Sequence, residues 1–279
     1  MNRCMHPGRA LAALVLALFS AVAFAQAQPA AKDYEPSVGQ AGKDVVWVPT
    51  SQALVDKMLD LAKVTPADVL MDLGSGDGRT VITAAKRGLR ATGIEYNPDM
   101  VELSKRNAAQ EGVTNRATFM KADLFETDLS QATVITMFLL PDINLKLRPK
   151  ILDLKPGTRI VSNSFTMGEW ESDSRADATD KEGCVSYCTA YLWIVPAKVE
   201  GTWRSPQGEF DLRQTFQKFT GFLKSGGTAT AFTNGRIRGD QVSFTVSGAQ
   251  YSGRVRGDTI DGTVKSAAGT SPWKATRAK

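Results

Sequence analysis

The chain has 279 residues, 42% hydrophobic and 23% charged, a balance that suits a folded protein long enough for one α/β domain plus a smaller one. A formal net charge of +5 is too mild to argue for a nucleic-acid partner. The single histidine is His6, close to the start, so a histidine-based triad or histidine metal site has no candidate in the body of the chain.

Met1 to Ala25 reads as a secretory signal peptide: Arg3 and Arg9 lead into an apolar run from Ala10 to Phe19, and Ala23-Phe24-Ala25 offers small residues at a cleavage site before Gln26. Its loss takes the formal charge to +3, because Arg3 and Arg9 leave and no acid does. The expectation is an exported, periplasmic or secreted protein. The alternative is an inner-membrane anchor, which needs roughly 20 apolar residues and brings membrane proximity. The two arginines ahead of the run would then leave the domain outside. Export permits a disulfide between Cys184 and Cys188. Their i,i+4 spacing spans roughly 13 Å along an extended strand and cannot close there. A bridge across a tight turn and two small buried thiols are both open.

Residues 26–44, rich in Ala, Gln, Pro and Gly, read as a flexible leader. Val45 to Thr50 is a short extended approach, and Ser51 caps a helix whose apolar face is Leu54, Val55, Met58, Leu59 and Leu61. Then comes Val69-Leu70-Met71-Asp72-Leu73-Gly74-Ser75-Gly76-Asp77-Gly78-Arg79. An apolar run stopped by glycines is a buried parallel strand feeding a tight turn. The helix behind it aims free N–H groups at the turn. The spacing is G-x-G-x-G and not the dinucleotide G-x-G-x-x-G. With Asp72 two residues ahead of Gly74, it resembles motif I of the class I S-adenosylmethionine (SAM) methyltransferases.

Helix and strand alternate from there: a helix over 79–87, a strand over 91–95, a helix over 99–111, and strands over 117–121 and 133–140. A helix over 143–154 and a strand over 159–162 follow, and 184–196 suits a closing antiparallel hairpin. This alternation means right-handed crossovers in a Rossmann-like, doubly wound α/β sheet, seven-stranded in such methyltransferases. From Val199 the texture changes to short alternating runs punctuated by glycine. Gly235-Arg236-Ile237-Arg238-Gly239-Asp240 recurs eighteen residues later as Gly253-Arg254-Val255-Arg256-Gly257-Asp258, as in successive β-hairpins. The expectation is a small antiparallel β-barrel or half-barrel closed by Trp203 and Trp273, with the Arg-Gly-Asp triplets as turns. The domains expected are thus 1–25, 26–44, 45–198 and 199–279.

The motif I resemblance implies a SAM site made by Asp72, Gly74, Ser75, Gly76 and Gly78. Glu95, closing the second strand, would accept the ribose hydroxyls, as the acid does in dinucleotide folds. Asp123, in Ala122-Asp123-Leu124-Phe125, resembles the acid that receives the adenine amino group, with Leu124 beside the ring; it also suits an N-cap. Asp72 would take the ammonium of the methionine moiety, or buttress the turn. Asp77 would cap the next helix. Thr50 and Ser51 are candidates for the SAM carboxylate, and Tyr96 for stacking on adenine. On the acceptor side, Phe138-Leu139-Leu140-Pro141-Asp142 is the segment that lines the acceptor site in class I methyltransferases. Phe138 and Pro141 would wall it, and Asp142 would steer or deprotonate the nucleophile, or only cap a helix. Asn163, Phe165 and Trp170 are further wall candidates, with core packing the simpler role. Metal ligands are not expected.

Val48-Pro49-Thr50, Asp72 to Arg79, Asp123 to Phe125, Phe138 to Pro141 and Leu154-Lys155-Pro156-Gly157 together look like the small methyltransferases related to the mitochondrial protein-lysine enzymes. Those act on the ATP synthase c subunit and the adenine nucleotide translocase. The resemblance covers about residues 45–196 and implies methyl transfer from SAM to a lysine of a protein substrate. The β region is outside it. The competing reading is an exported, inactive SAM-fold binding protein whose β domain holds a partner. Aminopropyl transfer lacks an acidic cluster after the fourth strand.

Overall fold

Seven short strands follow the apolar runs: β1 (Val69–Leu73), β2 (Arg90–Glu95), β3 (Ala117–Lys121), β4 (Val134–Met137), β5 (Arg159–Asn163), β6 (Ser174–Asp177) and β7 (Thr189–Ile194). In the computed structural model, which describes Met1 and residues 34–278, they form one sheet in the order β3-β2-β1-β4-β5-β7-β6. The first five run parallel, and β7 is antiparallel to both β5 and β6. The chain reverses direction across the sheet between β1 and β4, the place where open α/β sheets bind ligands. Apart from Met1, the segment read as a signal peptide, and residues 26–33 of the leader, lie outside the described residues.

Alternation along each strand divides the core in two. Leu70, Val134, Val161 and Leu192 face one side. There they meet α1 (Gln52–Leu61), α2 (Arg79–Lys86) and α3 (Pro98–Gln110). Leu73, Ile135, Met137, Ile160 and Trp193 face the other side, against Leu147 and Ile151 of α4 (Pro141–Leu152). The helix starts have local causes. Ser51 Oγ accepts from Leu54 N–H at α1, and Asn97 Oδ1 accepts from Asp99 N–H at α3 with Pro98 as first residue.

Two elements depart from the sequence reading. Strand β4 ends at Met137, so Phe138, Leu139 and Leu140 form a loop instead of continuing a strand to 140. Pro141 opens α4, and a residue ahead of proline is held extended, here Leu140 at ψ 156°. The closing hairpin is β6 with β7, so its first strand lies at 174–177 and not within 184–188. Those five residues are a loop tied by the Cys184–Cys188 disulfide, with Cα atoms 5.8 Å apart.

Beyond Val199 come β8 (Gly201–Ser205), β9 (Gly208–Thr215), β10 (Lys218–Ser225), β11 (Thr228–Ala231), β12 (Thr233–Arg238), β13 (Gln241–Val246), β14 (Ala249–Arg256), β15 (Thr259–Ser266) and β16 (Gly269–Arg277). They are antiparallel, and pairing of β9 with both β8 and β10 closes the ring, with β11 attached only to β10. Closure removes exposed edges. The interior is filled, not hollow: Trp203, Phe210, Phe244, Tyr251 and Trp273 are buried, with neighbouring ring centroids such as Phe210–Trp273 5.6 Å apart. Gly221 permits close strand approach, since a Cβ there would meet Asp211 O at 1.9 Å. The Arg-Gly-Asp triplets are hairpin turns, with Gly239 (φ 60°) and Gly257 (φ 59°) at the first central position.

The barrel packs directly on the larger domain, and residues 34–278 belong to one compact unit. Trp170, fully buried, stacks on Phe216 of the β9–β10 turn at 6.0 Å. Gln217 Nε2 donates to Glu171 O at 2.7 Å, and Ala197 N–H donates to Gly239 O at 2.7 Å. Trp170 is therefore a core residue of this junction and not a wall of the site, the simpler of its two roles.

Candidate active site

A cleft opens at the carboxyl ends of β1, β2 and β4, walled on one side by the glycine turn. Gly74 (φ 76°), Gly76 (φ 54°) and Gly78 (φ 84°) all take left-handed backbone, which explains glycine at alternate positions. The turn is fixed from behind by α3: Ser104 Oγ donates to Gly76 O at 2.8 Å and Asn107 Nδ2 to Asp77 O at 2.9 Å. Gly74, Ser75 and Gly76 line the cleft. Gly78 does not: a Cβ there would meet Phe119 at 2.8 Å and Ser104 at 2.9 Å, so its role is close helix packing rather than ligand contact.

The three acids singled out in the sequence meet in this cleft. Glu95 at the end of β2 accepts Gly76 N–H on one oxygen at 3.0 Å and Asn97 N–H on the other at 2.9 Å. Asp72 is 6% exposed, accepts the Thr136 hydroxyl at 2.7 Å, and is pushed up to about 7, chiefly by burial. Asp123 Oδ1 accepts Phe125 N–H at 2.9 Å, the local cap, and its Oδ2 takes Lys43 Nζ at 2.5 Å. Hydrogen bonding to Lys43 holds its carboxyl below the usual range, and the same bond raises Lys43. Leu124 and Tyr96 also line the cleft, Tyr96 with Lys43 Nζ 4.6 Å above its ring.

Asp77 grips Arg79, whose Nη1 donates to Thr50 O at 2.8 Å. This joins the turn to the start of α1. Thr50 is almost buried, and its hydroxyl accepts Asn163 Nδ2 at 3.2 Å. Ser51 is occupied as the α1 cap.

The segment read as the end of a flexible leader is part of the site. Trp47 N–H donates to Gln40 O at 2.9 Å and Gly39 N–H to Trp47 O at 2.8 Å, so residues 39–47 fold back as a strap. Residues 40–50 line the cleft, and Trp47 Nε1 lies 2.7 Å from where a Gly76 Cβ would sit. Sequence reasoning missed this because its partners are Gly76, Tyr96 and Asp123, far along the chain. Trp47, a lone aromatic before a capped helix, was the available signal.

On the acceptor side, Phe138, Leu139, Leu140, Ile143, Phe165 and Tyr187 line the cleft. Pro141 and Asp142 do not; both are exposed on the first turn of α4. The geometry therefore leaves Asp142 on the first turn of α4, outside the lining of the cleft.

Among the described residues, no group of three or more His, Cys, Asp or Glu could hold a metal ion. No helix there is long and apolar enough to cross a membrane. The cleft fits a nucleoside-bearing cation. Positive-φ glycines let a ligand approach the backbone, Asp72 and Glu95 face it as acceptors, and Ile94, Met100 and Leu124 offer apolar surface for a flat ring.

A family model of the ANTKMT methyltransferase domain matches residues 72–174. A protein-lysine N-methyltransferase of Saccharolobus islandicus is 42% identical over 154 residues, 54% of this chain and 94% of that protein. The adenine nucleotide translocase lysine N-methyltransferase of Mus musculus is 34% identical over 164 residues, 54% of this chain and 71% of that protein. Among solved structures, an RNA methyltransferase from Salinibacter ruber in complex with S-adenosyl-L-homocysteine is 47% identical, with TM-score 0.50, covering 55% of this chain and 96% of that one.

Proposed function

The chain belongs to the SAM-dependent protein-lysine N-methyltransferases, and from that membership we propose how its own residues carry the reaction. The observation that carries the reading is the 42% identity over nearly the whole of a protein-lysine enzyme, joined to a cleft holding Asp72, Glu95 and Asp123. The relatives are enzymes, so an inactive binding protein has no support. SAM supplies a methyl group on a sulfonium. The lysine amine forms the new N–C bond as the S–C bond breaks, S-adenosylhomocysteine leaves, and the methylated ammonium releases its proton.

The protein aligns and shields. Glu95, with one lone pair of each oxygen engaged by backbone N–H groups, keeps a fixed orientation toward the ribose hydroxyls. Asp72 faces the methionine ammonium, and the cation's arrival favours its ionised form. Asp123 receives the adenine amino group once Lys43 yields, with Leu124 and Tyr96 beside the ring. The turn backbone over 74–76, held in place by Gly76 N–H on Glu95 and Ser75 N–H on Ile94 O, lies against the methionine moiety. With the described acceptor wall lined by apolar and aromatic residues, the lysine loses its proton to solvent before entry. An apolar wall then lowers its pKa by disfavouring the charged form.

Export belongs to the same proposal. It is supported by Arg3, Arg9 and the apolar run to Phe19, and by a disulfide at Cys184–Cys188, which persists in oxidising compartments. A protein that starts at Gln26 in an envelope fraction is the expected result, and full-length protein in the cytoplasm refutes export. The activity test is calorimetric titration with SAM, followed by transfer of labelled methyl to candidate proteins and mass spectrometry of the product. Binding and Nε-methyllysine are expected. Transfer to RNA but not to protein overturns the lysine assignment, and no SAM binding by folded protein overturns the whole reading.

A further inference from the structure

Three aromatic rings meet on the acceptor wall, one from each of three chain segments. Phe138 follows β4, Phe165 follows β5, and Tyr187 precedes β7. Their centroids are 5.2 Å apart for Phe138–Tyr187, 5.9 Å for Phe165–Tyr187 and 6.0 Å for Phe138–Phe165. All three line the cleft together with Leu139 and Leu140. The cluster is not core: Tyr187 is 47% exposed. Exposed aromatics grouped at a cleft mouth offer π faces to a cation within about 6 Å and a slot for an alkyl chain.

Tyr187 reaches this position through an unusual support. It lies between Cys184 and Cys188, in left-handed backbone at φ 54°, which a non-glycine residue adopts only when its surroundings impose it. The disulfide closes a five-residue loop around it. Cys184 is buried in the core with α1, so the loop is anchored below the cleft. Its base is pinned by Cys184 N–H to Thr179 O at 3.1 Å and Ala178 N–H to Cys188 O at 2.8 Å. Among the described residues no hydrogen bond holds the tip carrying Tyr187, which leaves the disulfide and the two phenylalanine rings as its supports.

We propose that Phe138, Phe165 and Tyr187 form the entry site for the acceptor lysine and its methylated product, and that the Cys184–Cys188 disulfide positions Tyr187, so that acceptor binding requires the oxidised protein. The inference rests on the lysine-methyltransferase reading. The alkyl chain of the lysine runs along the rings, which exclude water near the reacting amine. The rings favour the methylated ammonium that forms, because methyl groups weaken hydration while the charge remains. Reduction frees the loop, and Tyr187 leaves the positive-φ conformation that the closed loop imposes.

The test uses the full chain in three measurements. SAM binding is measured by calorimetry. Methyl transfer to poly-L-lysine is followed with labelled SAM. Binding of Nα-acetyl-Nε-trimethyl-lysine amide is measured on protein saturated with S-adenosylhomocysteine. For Tyr187→Ala we expect SAM affinity within about twofold of wild type, with kcat/KM for poly-L-lysine down about tenfold or more, mostly through KM, and the trimethyl-lysine probe lost. Tyr187→Phe keeps both. Dithiothreitol lowers the wild type to the level of the Cys184→Ser/Cys188→Ser variant and leaves that variant unchanged. If Tyr187→Ala retains acceptor KM and probe binding, or reduction changes neither, the proposal falls while the methyltransferase reading stands. SAM-loaded wild type that neither methylates poly-L-lysine nor binds the probe also counts against it. Failure to bind SAM at all overturns the underlying reading instead.

Discussion

Asp72 provides the sharpest test of how the site is built. It sits at 6% exposure under the cleft, with a hydrogen bond from Thr136 and, among the described residues, no cation paired with it. Burial is the largest influence and raises its pKa from 3.8 to about 7, with Asp77 and Glu95 adding repulsion. That displacement corresponds to ~4 kcal/mol between the two protonation states, and water entering the cleft reduces it, so ~2–4 kcal/mol is expected. The native state binds the extra proton, so the stability this group contributes is complete below pH 3.8 and is lost as pH rises through about 7. Asp72→Asn keeps an acceptor for Thr136 and removes the charge. It should match wild type near pH 4 and exceed it by ~2–4 kcal/mol at pH 8, read from urea midpoints on protein without ligand.

The ligand reverses the preference. A methionine ammonium facing Asp72 requires the carboxylate, so SAM should bind roughly tenfold more weakly at pH 5.5–6 than at pH 7, a range in which the ligand's amine stays charged. In Asp72→Asn the affinity should be lower and flat over that range. A stability difference that stays constant between pH 4 and pH 8, or a variant less stable at pH 8, would refute the argument. The wider point is that a site made for a cation is destabilised without one.

Three further outcomes follow from the geometry. Glu95→Ala removes the acceptor of Gly76 N–H and Asn97 N–H together with the ribose contact; SAM affinity should fall at least about 100-fold in calorimetry, with far-UV dichroism unchanged. Lys43→Ala breaks an exposed ion pair, so the unfolding midpoint should hardly move. Yet amides of residues 39–47 should exchange faster and SAM should bind a few-fold tighter, because Lys43 no longer competes for Asp123. Trp170→Ala empties a fully buried position against Phe216 and Trp193; it should cost ~3–5 kcal/mol and separate barrel unfolding from that of the larger domain in a thermal scan. A single unshifted transition would show that Trp170 contributes nothing to the junction.

What was legible in the sequence was whatever a local signal could carry. β3 at 117–121 and the start of β5 at 159 are where the apolar runs put them; Gly112 stops the helix ahead of the first, and Lys155-Pro156-Gly157 turns into the second. The barrel was legible for the same reason: each hairpin announces itself by a turn, and Gly239 and Gly257 occupy the positions that turn needs. Its full closure was less so, since β9 with β10 and β16 with β8 must both pair, and the second of these joins residues more than seventy apart. In the site, Asp72 and Glu95 were readable because strand ends fix where their side chains go.

Residues whose position is set by another segment were not readable. Asp142 is a different case: the sequence left it between steering the nucleophile and starting a helix, and Pro141 opening α4 places it on the exposed first turn. The strap at 39–47 has the composition of a linker, and composition measures only what a segment can bury against itself. Its order comes from Trp47 at the Gly76 turn and Lys43 on Asp123. Tyr187 has no periodic context either, and its place depends on a covalent bond between its two flanking cysteines. These two segments both line one cleft: the strap is tied to Asp123 through Lys43, and the disulfide loop brings Tyr187 beside Phe138 and Phe165. Strand ends place Asp72 and Glu95, then, while part of the cleft wall is made by the two elements whose sequences say least. Substitutions in them should alter entry and release of ligands more than the chemical step, which is where lid-like elements act.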